Sequence, residues 1–109
     1  MKAILNHAAL TVDDYDYYTH FFEEICGMHS YQTRGQAPDR QTWYTEGIQL
    51  IECAKALPAR SVFDHICLDC LDVSGLVAAA LEAGCTPIEG KPHWFTLPNG
   101  AKIEVKNYH

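Results

Sequence analysis

The chain has 109 residues, of which 48% are apolar and 20% are charged, and its formal net charge is −6 at pH 7. This length suffices for one compact domain with a buried core, and the composition is ordinary for a soluble protein. The negative charge argues against nucleic acid as a partner, because the sequence has no basic stripe to neutralise phosphates. No apolar run approaches the roughly 20 residues that a membrane helix needs, so no membrane partner is expected.

The five cysteines are an odd number without the spacing of a disulfide framework, which favours a reducing, cytoplasmic location. The first residues lead directly into a predicted strand, so we expect no signal peptide. Cys67 and Cys70 form a C-x-x-C pattern. They lie in a predicted strand, where residues three apart point to opposite faces. We therefore interpret them as small buried side chains rather than as a zinc or redox pair.

The first half of the chain predicts a strand, a helix and three more strands. Alternation over residues 4–12 predicts a strand with His7 on one face, together with Leu5, Ala9 and Thr11. Asp13 or Asp14 can cap a helix over residues 15–26, which Gly27 ends. Strands are predicted over residues 28–33, 41–45 and 48–53, with a polar loop after the first. The buried stripe of the helix is expected to contain Tyr18, Phe21, Phe22 and Ile25.

The second half repeats this order after a predicted linker at residues 55–61. A strand is predicted over residues 62–70, with His65 and Cys67 on one face. Asp72 can cap a helix over residues 73–83, which Gly84 ends. Short strands are expected over residues 86–88 and 92–97, followed by a turn at residues 98–100 and a last strand over residues 101–107.

Each half places a histidine in its first strand and a polar residue in its last strand. His7 and Gln49 are 42 residues apart, and His65 and Glu104 are 39 residues apart. Because a duplicated unit that pairs with itself brings equivalent positions together, this repeat is evidence about architecture. It predicts an α+β fold of two βαβββ modules, residues 1–54 and 62–109, that form a curved mixed β-sheet within one domain, residues 1–109.

Three segments and the repeated order carry a family resemblance. The segments are residues 5–7 (Leu-Asn-His), 22–28 and 97–105. Together they resemble the vicinal oxygen chelate superfamily, which includes glyoxalase I, methylmalonyl-CoA epimerase, extradiol dioxygenases and the fosfomycin and bleomycin resistance proteins. The resemblance covers nearly the whole chain. It implies a glyoxalase-like fold in which the sheet forms a cup with metal ligands on its concave face.

Carried over by position, the resemblance implies that a divalent ion (Zn, Ni, Co, Mn or Fe) is held by His7, Gln49, His65 and Glu104. Imidazole, amide and carboxylate groups suit such ions. Glu52 is a better type of ligand than Gln49, but strand alternation turns it to the other face. The repeat pairs Gln49 with Glu104, and the epimerase subgroup also uses glutamine there, whereas many glyoxalases have glutamate.

The resemblance favours a metal-dependent isomerase, lyase or epimerase that acts by proton transfer on a small oxygenated metabolite, with Glu104 as the catalytic base. One alternative is a metal-free protein of the bleomycin-resistance type that binds a small molecule in the same cup. A further alternative is an extradiol-type dioxygenase, because His7, His65 and Glu104 alone make a two-histidine, one-carboxylate triad. Short loops and apolar sheet edges favour a homodimer.

Overall fold

The computed structural model of the protein describes residues 2–54, 63–98 and 100–107. The predicted linker and Asn99 of the predicted turn lie outside the described residues. Strand and helix bounds follow the predictions to within one or two residues, apart from the first helix. They are β1 (Ala3–Val12), α1 (Tyr15–His20), a π-helical turn (Phe21–Ile25), β2 (Ser30–Arg34), β3 (Gln41–Tyr44), β4 (Ile48–Glu52), β5 (Phe63–Cys70), α2 (Val73–Glu82), β6 (Thr86–Ile88), β7 (Lys91–Thr96) and β8 (Lys102–Asn107). The order βαβββ occurs twice, so the predicted α+β class is confirmed.

The chain divides into two compact units, called here the first module (His7–Asp64) and the second module (Met1–Asn6 with His65–His109). The boundary falls within β1, between Asn6 and His7. The side chain of Asn6 shows why the first residues belong to the second module. Its Nδ2 donates hydrogen bonds to both carboxylate oxygens of Asp69, each at 3.0 Å, while Ala3 packs against the apolar core of that module.

In the first module the strand order is β2-β3-β4-β1. β1 and β4 are parallel, whereas β2, β3 and β4 are antiparallel, so the sheet is mixed. Its buried core contains two tyrosines, whose hydroxyl groups need hydrogen-bond partners. The Tyr44 hydroxyl donates to Glu23 at 2.8 Å, and the Tyr15 hydroxyl is bonded to Thr42. The cluster of buried core residues contains Val12, Tyr15, Tyr44 and Leu50.

The first helix departs from the prediction at its C-terminal end. The sequence predicts one α-helix to residue 26, but the α-helix ends at His20 and continues as the π-helical turn, in which the Cys26 N–H donates to the Phe21 carbonyl at 3.0 Å. A π turn interrupts the 3.6-residue repeat that places side chains on one face. Ile25 is consequently 65% exposed, so its predicted burial was wrong.

In the second module the strand order is β5-β8-β7-β6, with β5 and β8 parallel. Its core is mainly aliphatic rather than rich in tyrosine. Helix α2 begins as predicted, because the Asp72 side chain accepts a hydrogen bond from the Gly75 N–H at 3.0 Å. The buried core residues are Cys70, Val73, Phe95, Ile103 and Val105. Within the described segments, no helix has the length and apolar character to cross a membrane.

Candidate active site

The parallel strand pairs of the two modules have the same register at the predicted site residues. In the first module Ala9 on β1 lies opposite Gln49 on β4, and His7 precedes Ala9 by two residues. In the second module Cys67 on β5 lies opposite Glu104 on β8, and His65 precedes Cys67 by two residues. Since alternate strand residues share a face, each module brings a histidine and its polar counterpart to one face of its own sheet.

The antiparallel neighbours extend the equivalence. Trp43 on β3 lies opposite Gln49, and Trp94 on β7 lies opposite Glu104. The sequence repeat is therefore a repeat of strand pairing and not only of composition. We call His7, Gln41 and Gln49 the first half-site, and His65, Cys67, Trp94 and Glu104 the second half-site.

The first half-site contains a buried amide oxygen that accepts no hydrogen bond from the residues that the structure describes. His7 and Gln49 are each 4% exposed. The Gln49 Nε2 donates to Oε1 of Gln41 at 2.9 Å, whereas its own Oε1 finds no donor among the described residues. A buried acceptor without a partner costs about 1–3 kcal/mol. The Gln49 Oε1 is thus positioned to receive a cation or a donor from outside the protein.

Glu52, the alternative ligand in β4, is engaged elsewhere in the first module. Its carboxylate accepts hydrogen bonds from Nε and Nη2 of Arg40, both at 2.8 Å, and from the Arg40 backbone N–H at 3.1 Å. The Arg40 guanidinium holds the pKa of Glu52 below its ordinary value. A carboxylate that forms a bidentate hydrogen-bonded pair with an arginine is a poor candidate for a metal ligand.

The second half-site pairs a buried imidazole with a carboxylate that solvent can reach. The Nε2 of His65 lies 3.3 Å from Oε1 of Glu104, and the side chains are 6% and 24% exposed, respectively. The rings of His65 and Trp94 meet edge to face, with centroids 4.6 Å apart. Because the ring of His65 is held by both neighbours, its Nε2 is kept aimed at the carboxylate.

Cys67 is buried, as predicted, on the face of β5 that also holds His65, but its contact with Glu104 was not predicted. Its sulfur lies within 4.8 Å of a carboxylate oxygen of Glu104. Burial, and then the negative charge of Glu104, raise the pKa of Cys67 to about 12. At neutral pH the group is therefore a thiol, which can donate a hydrogen bond but is not a nucleophile. Cys70 lies on the opposite face in the apolar core, as strand alternation predicts.

The donor groups fit a divalent cation. The Gln49 oxygen lacks a donor among the described residues, and the His65 nitrogen faces a carboxylate oxygen at 3.3 Å. A neutral imidazole and a carboxylate are both Lewis bases, so they approach one another only with a proton or a cation between them. Imidazole, amide oxygen and carboxylate oxygen are ligands that first-row divalent ions accept.

An open cavity of about 550 Å³ adjoins the second half-site. This volume lies in the range typical of small-molecule sites. Glu104 and Trp94 form part of its wall. The remaining lining residues are Gly90, Lys91, Pro92, His93, Val105, Lys106 and Asn107.

No established family profile matches the sequence, and no curated protein matches it. Solved structures do match. A hypothetical protein, BH1468 from Bacillus halodurans, superposes with a TM-score of 0.71 at 13% identity, covering 100% of this chain and 96% of that one. Methylmalonyl-CoA epimerase of Streptomyces coelicolor, in complex with 2-nitronate-propionyl-CoA, gives a TM-score of 0.70 at 17% identity and covers 94% and 95%.

A third match is methylmalonyl-CoA epimerase from Mycobacterium tuberculosis, with a TM-score of 0.66 at 17% identity and coverage of 96% and 87%. At these identities the likeness establishes the fold and not the activity. The chain has the glyoxalase-like fold that these epimerases share, as its resemblance to the vicinal oxygen chelate superfamily predicts.

Proposed function

We propose that the protein is a metal-dependent epimerase or isomerase, which moves a proton at a carbon next to a carbonyl group of a small oxygenated substrate. The observation that carries this proposal is the equivalence of the two half-sites. The same strand position holds an amide, Gln49, in the first module and a carboxylate, Glu104, in the second. The Gln49 amide could only bind a metal ion, whereas the Glu104 carboxylate could also accept a proton.

The proposed metal ligands are His7, Gln49, His65 and Glu104. A bound divalent ion would polarise neighbouring oxygens of the substrate and so make the adjacent carbon more acidic. The burial of His7, Gln49 and His65 suits a ligating role, because buried ligands are held in fixed orientations. The Oε1 of Gln49, which has no hydrogen-bond donor in the described part of the chain, supports the choice of Gln49 over Glu52.

Glu104 is the proposed base. Its carboxylate is the most exposed of the four ligand groups and lines the cavity, so a substrate carbon can reach it. His65 fixes one carboxylate oxygen, and the Cys67 thiol is a donor beside it. These contacts orient the carboxylate, while the thiol itself is unable to act as a competing base at neutral pH.

The epimerase complexes indicate which substrate to test first. One of the matching structures is methylmalonyl-CoA epimerase in complex with methylmalonyl-CoA and NH4+. An acyl-CoA of this type has an acidic C–H between two carbonyl groups, which is the chemistry proposed for Glu104.

The test is isotope exchange with protein purified without a histidine tag or chelator. We expect one divalent ion per chain by elemental analysis, and incorporation of deuterium at the acidic carbon of methylmalonyl-CoA in D2O. Glu104→Gln should keep the metal but lose the exchange, and the control Glu52→Gln should keep both. Exchange that survives in Glu104→Gln would exclude Glu104 as the base.

If the wild type exchanges no acyl thioester, 2-oxo acid or hemithioacetal, the metal-free binding function of the bleomycin-resistance type becomes the better explanation. Ligand binding with and without a chelator then distinguishes the metal-dependent enzyme from the metal-free binding protein. A binding protein should bind an apolar planar ligand equally well with and without a chelator.

We also propose a homodimer in a cytoplasmic setting. The second module exposes several large apolar side chains, with Leu71 82% and Leu5 59% exposed. Such groups are commonly covered by a partner surface. Sedimentation velocity at tens of micromolar should show a dimer, and a monomer at that concentration would exclude it.

A further inference from the structure

The two modules differ at one end of an antiparallel strand pair, which is β3 with β4 in the first module and β7 with β8 in the second. In the first module Arg40 lies three residues before Trp43, and Glu52 lies three residues after Gln49. They form an ion pair at 2.8 Å, the Glu52 N–H donates to the Arg40 carbonyl at 2.8 Å, and Arg40 also pairs with Asp16 at 3.2 Å. We call this end of the first module closed, because the positive charge of Arg40 is paired with carboxylates of the same module.

The equivalent positions in the second module are Lys91, three residues before Trp94, and Asn107, three residues after Glu104. The cation is therefore retained, but its carboxylate partner is replaced by a neutral amide. In the described part of the second module Lys91 forms no ion pair. Its Nζ lies over the Trp94 ring, 4.7 Å from the centroid. The 550 Å³ cavity is located here, with Lys91 and Asn107 in its wall.

A second cation faces the same cavity. Lys106 lines it one residue before Asn107, and among the described residues it has no ion-pair partner either. The charged groups in the wall are thus two lysines and one carboxylate, Glu104. Along β8, Glu104 and Asn107 are separated by about 10 Å at roughly 3.3 Å per residue, so a negative group at the Lys91 end lies away from the proposed base.

We infer that this cavity binds an anionic group of the substrate, a carboxylate or a phosphate, beside Lys91, whose equivalent in the first module, Arg40, is instead paired with Glu52. Lys91 and Lys106 are its counter-ions, and Trp94 contacts the part of the molecule between the anion and Glu104. The inference rests on the proposed function for the role of Glu104. It specifies a substrate whose anionic end lies several bonds from the carbon that exchanges its proton.

Binding of small anions tests the inference without catalysis. The probes are inorganic phosphate, glutarate and the uncharged glutaramide, and the readout is the shift of the Trp94 indole N–H in NMR spectra, assigned with Trp43→Phe. We expect saturable binding of phosphate, glutarate or both, and none of glutaramide. Binding should weaken as salt is added, since the contacts are partly exposed. Which anion binds more tightly identifies the group as phosphate or carboxylate.

Two variants change the positions at which the modules differ, and a third is a matched control. Lys91→Ala should weaken anion binding about tenfold, as loss of a charged hydrogen bond does. Asn107→Glu should abolish it by supplying the carboxylate that Glu52 supplies in the first module. The matched control is Lys102→Ala, which removes a positive charge from an exposed position of β8 outside the cavity. It should leave binding unchanged.

Two results would overturn the inference: wild-type protein that binds neither anion, or equal weakening by Lys91→Ala and Lys102→Ala. Glu104→Gln separates this inference from the proposed function. It should bind the anions at least as tightly as the wild type, because it removes a negative charge. Anion binding with no isotope exchange would retain the anion site and reject the proposed base.

Discussion

The two modules share strand order, register and the position of their histidines and of Trp43 and Trp94, yet they differ in several other groups around these positions. In the first module Gln49 is held by another amide, and the strand end is closed by Arg40 and Glu52. In the second module Glu104 contacts His65 and Cys67. Its strand end is open and positively charged.

Under the proposed function, this difference gives the two modules different roles. At its strand end the first module pairs Arg40 with Glu52, and in its half-site Gln49 offers a neutral oxygen, which suits a proposed ligand that must not titrate. The second module leaves a carboxylate and two lysines facing a cavity, which suits groups that meet a substrate. A duplicated fold can keep its backbone pairing while one copy becomes structural and the other reactive, because backbone pairing does not depend on these side chains.

The largest difference between modules should appear in catalysis. Glu104→Gln should reduce isotope exchange by about 100- to 10,000-fold, the contribution of a positioned general base. The reciprocal change Gln49→Glu adds a carboxylate at the equivalent position and should retain most of the exchange. The isotope-exchange rates of both variants are measured with saturating metal. A loss in Gln49→Glu as large as in Glu104→Gln would show that the half-sites are not specialised.

Metal binding should depend on the half-site residues and not on Glu52. His65→Ala should abolish binding of the divalent ion, and Glu52→Ala should leave it nearly intact because Glu52 is bound to Arg40. Affinity should fall as pH drops through the histidine range, since a ligating imidazole is neutral. Calorimetric titration measures both effects, and equal losses in the two variants would show that Glu52 is a ligand.

The cores can be compared through one pair of equivalent positions, Leu50 and Val105, which are 0% and 1% exposed. Leu50→Ala should cost about 2–5 kcal/mol of unfolding free energy. Val105→Ala removes fewer buried carbons and should cost about 1.5–2.5 kcal/mol. Urea denaturation measures both. A larger loss for Val105→Ala would mean that the second core is the more tightly packed.

The smallest expected effect is the acid sensitivity of the first module's closed end. Because Arg40 holds the pKa of Glu52 below its ordinary 4.5, the pair stabilises the fold fully above that pH, and the contribution is lost as pH falls through the lower folded value. Wild type should therefore be more stable than Glu52→Gln at pH 7, with the gap closing at acid pH. Denaturation at several pH values tests this, and a constant gap would exclude the charge pair as its cause.

Local signals in the sequence were sufficient for most of the secondary structure. Two-residue alternation placed β1 and β5, and both aspartate caps were correct, with Asp14 accepting from the Tyr17 N–H at 3.3 Å and Asp72 from the Gly75 N–H. The π-helical turn was missed, since its five-residue hydrogen bond leaves no distinct sequence pattern. Ile25, expected in the buried stripe of the helix, is 65% exposed.

The sequence by itself determined the repeat, the fold class and the four polar positions His7, Gln49, His65 and Glu104, because strand periodicity and the spacing of a duplicated unit are written along the chain. Only the tertiary structure decided their neighbours. Three features depend on which residues lie opposite one another in paired strands: the Cys67 thiol beside Glu104, the Oε1 of Gln49 that no described residue donates to, and the closed and open strand ends. Register and burial are properties of the folded sheet, so no local pattern could have revealed them.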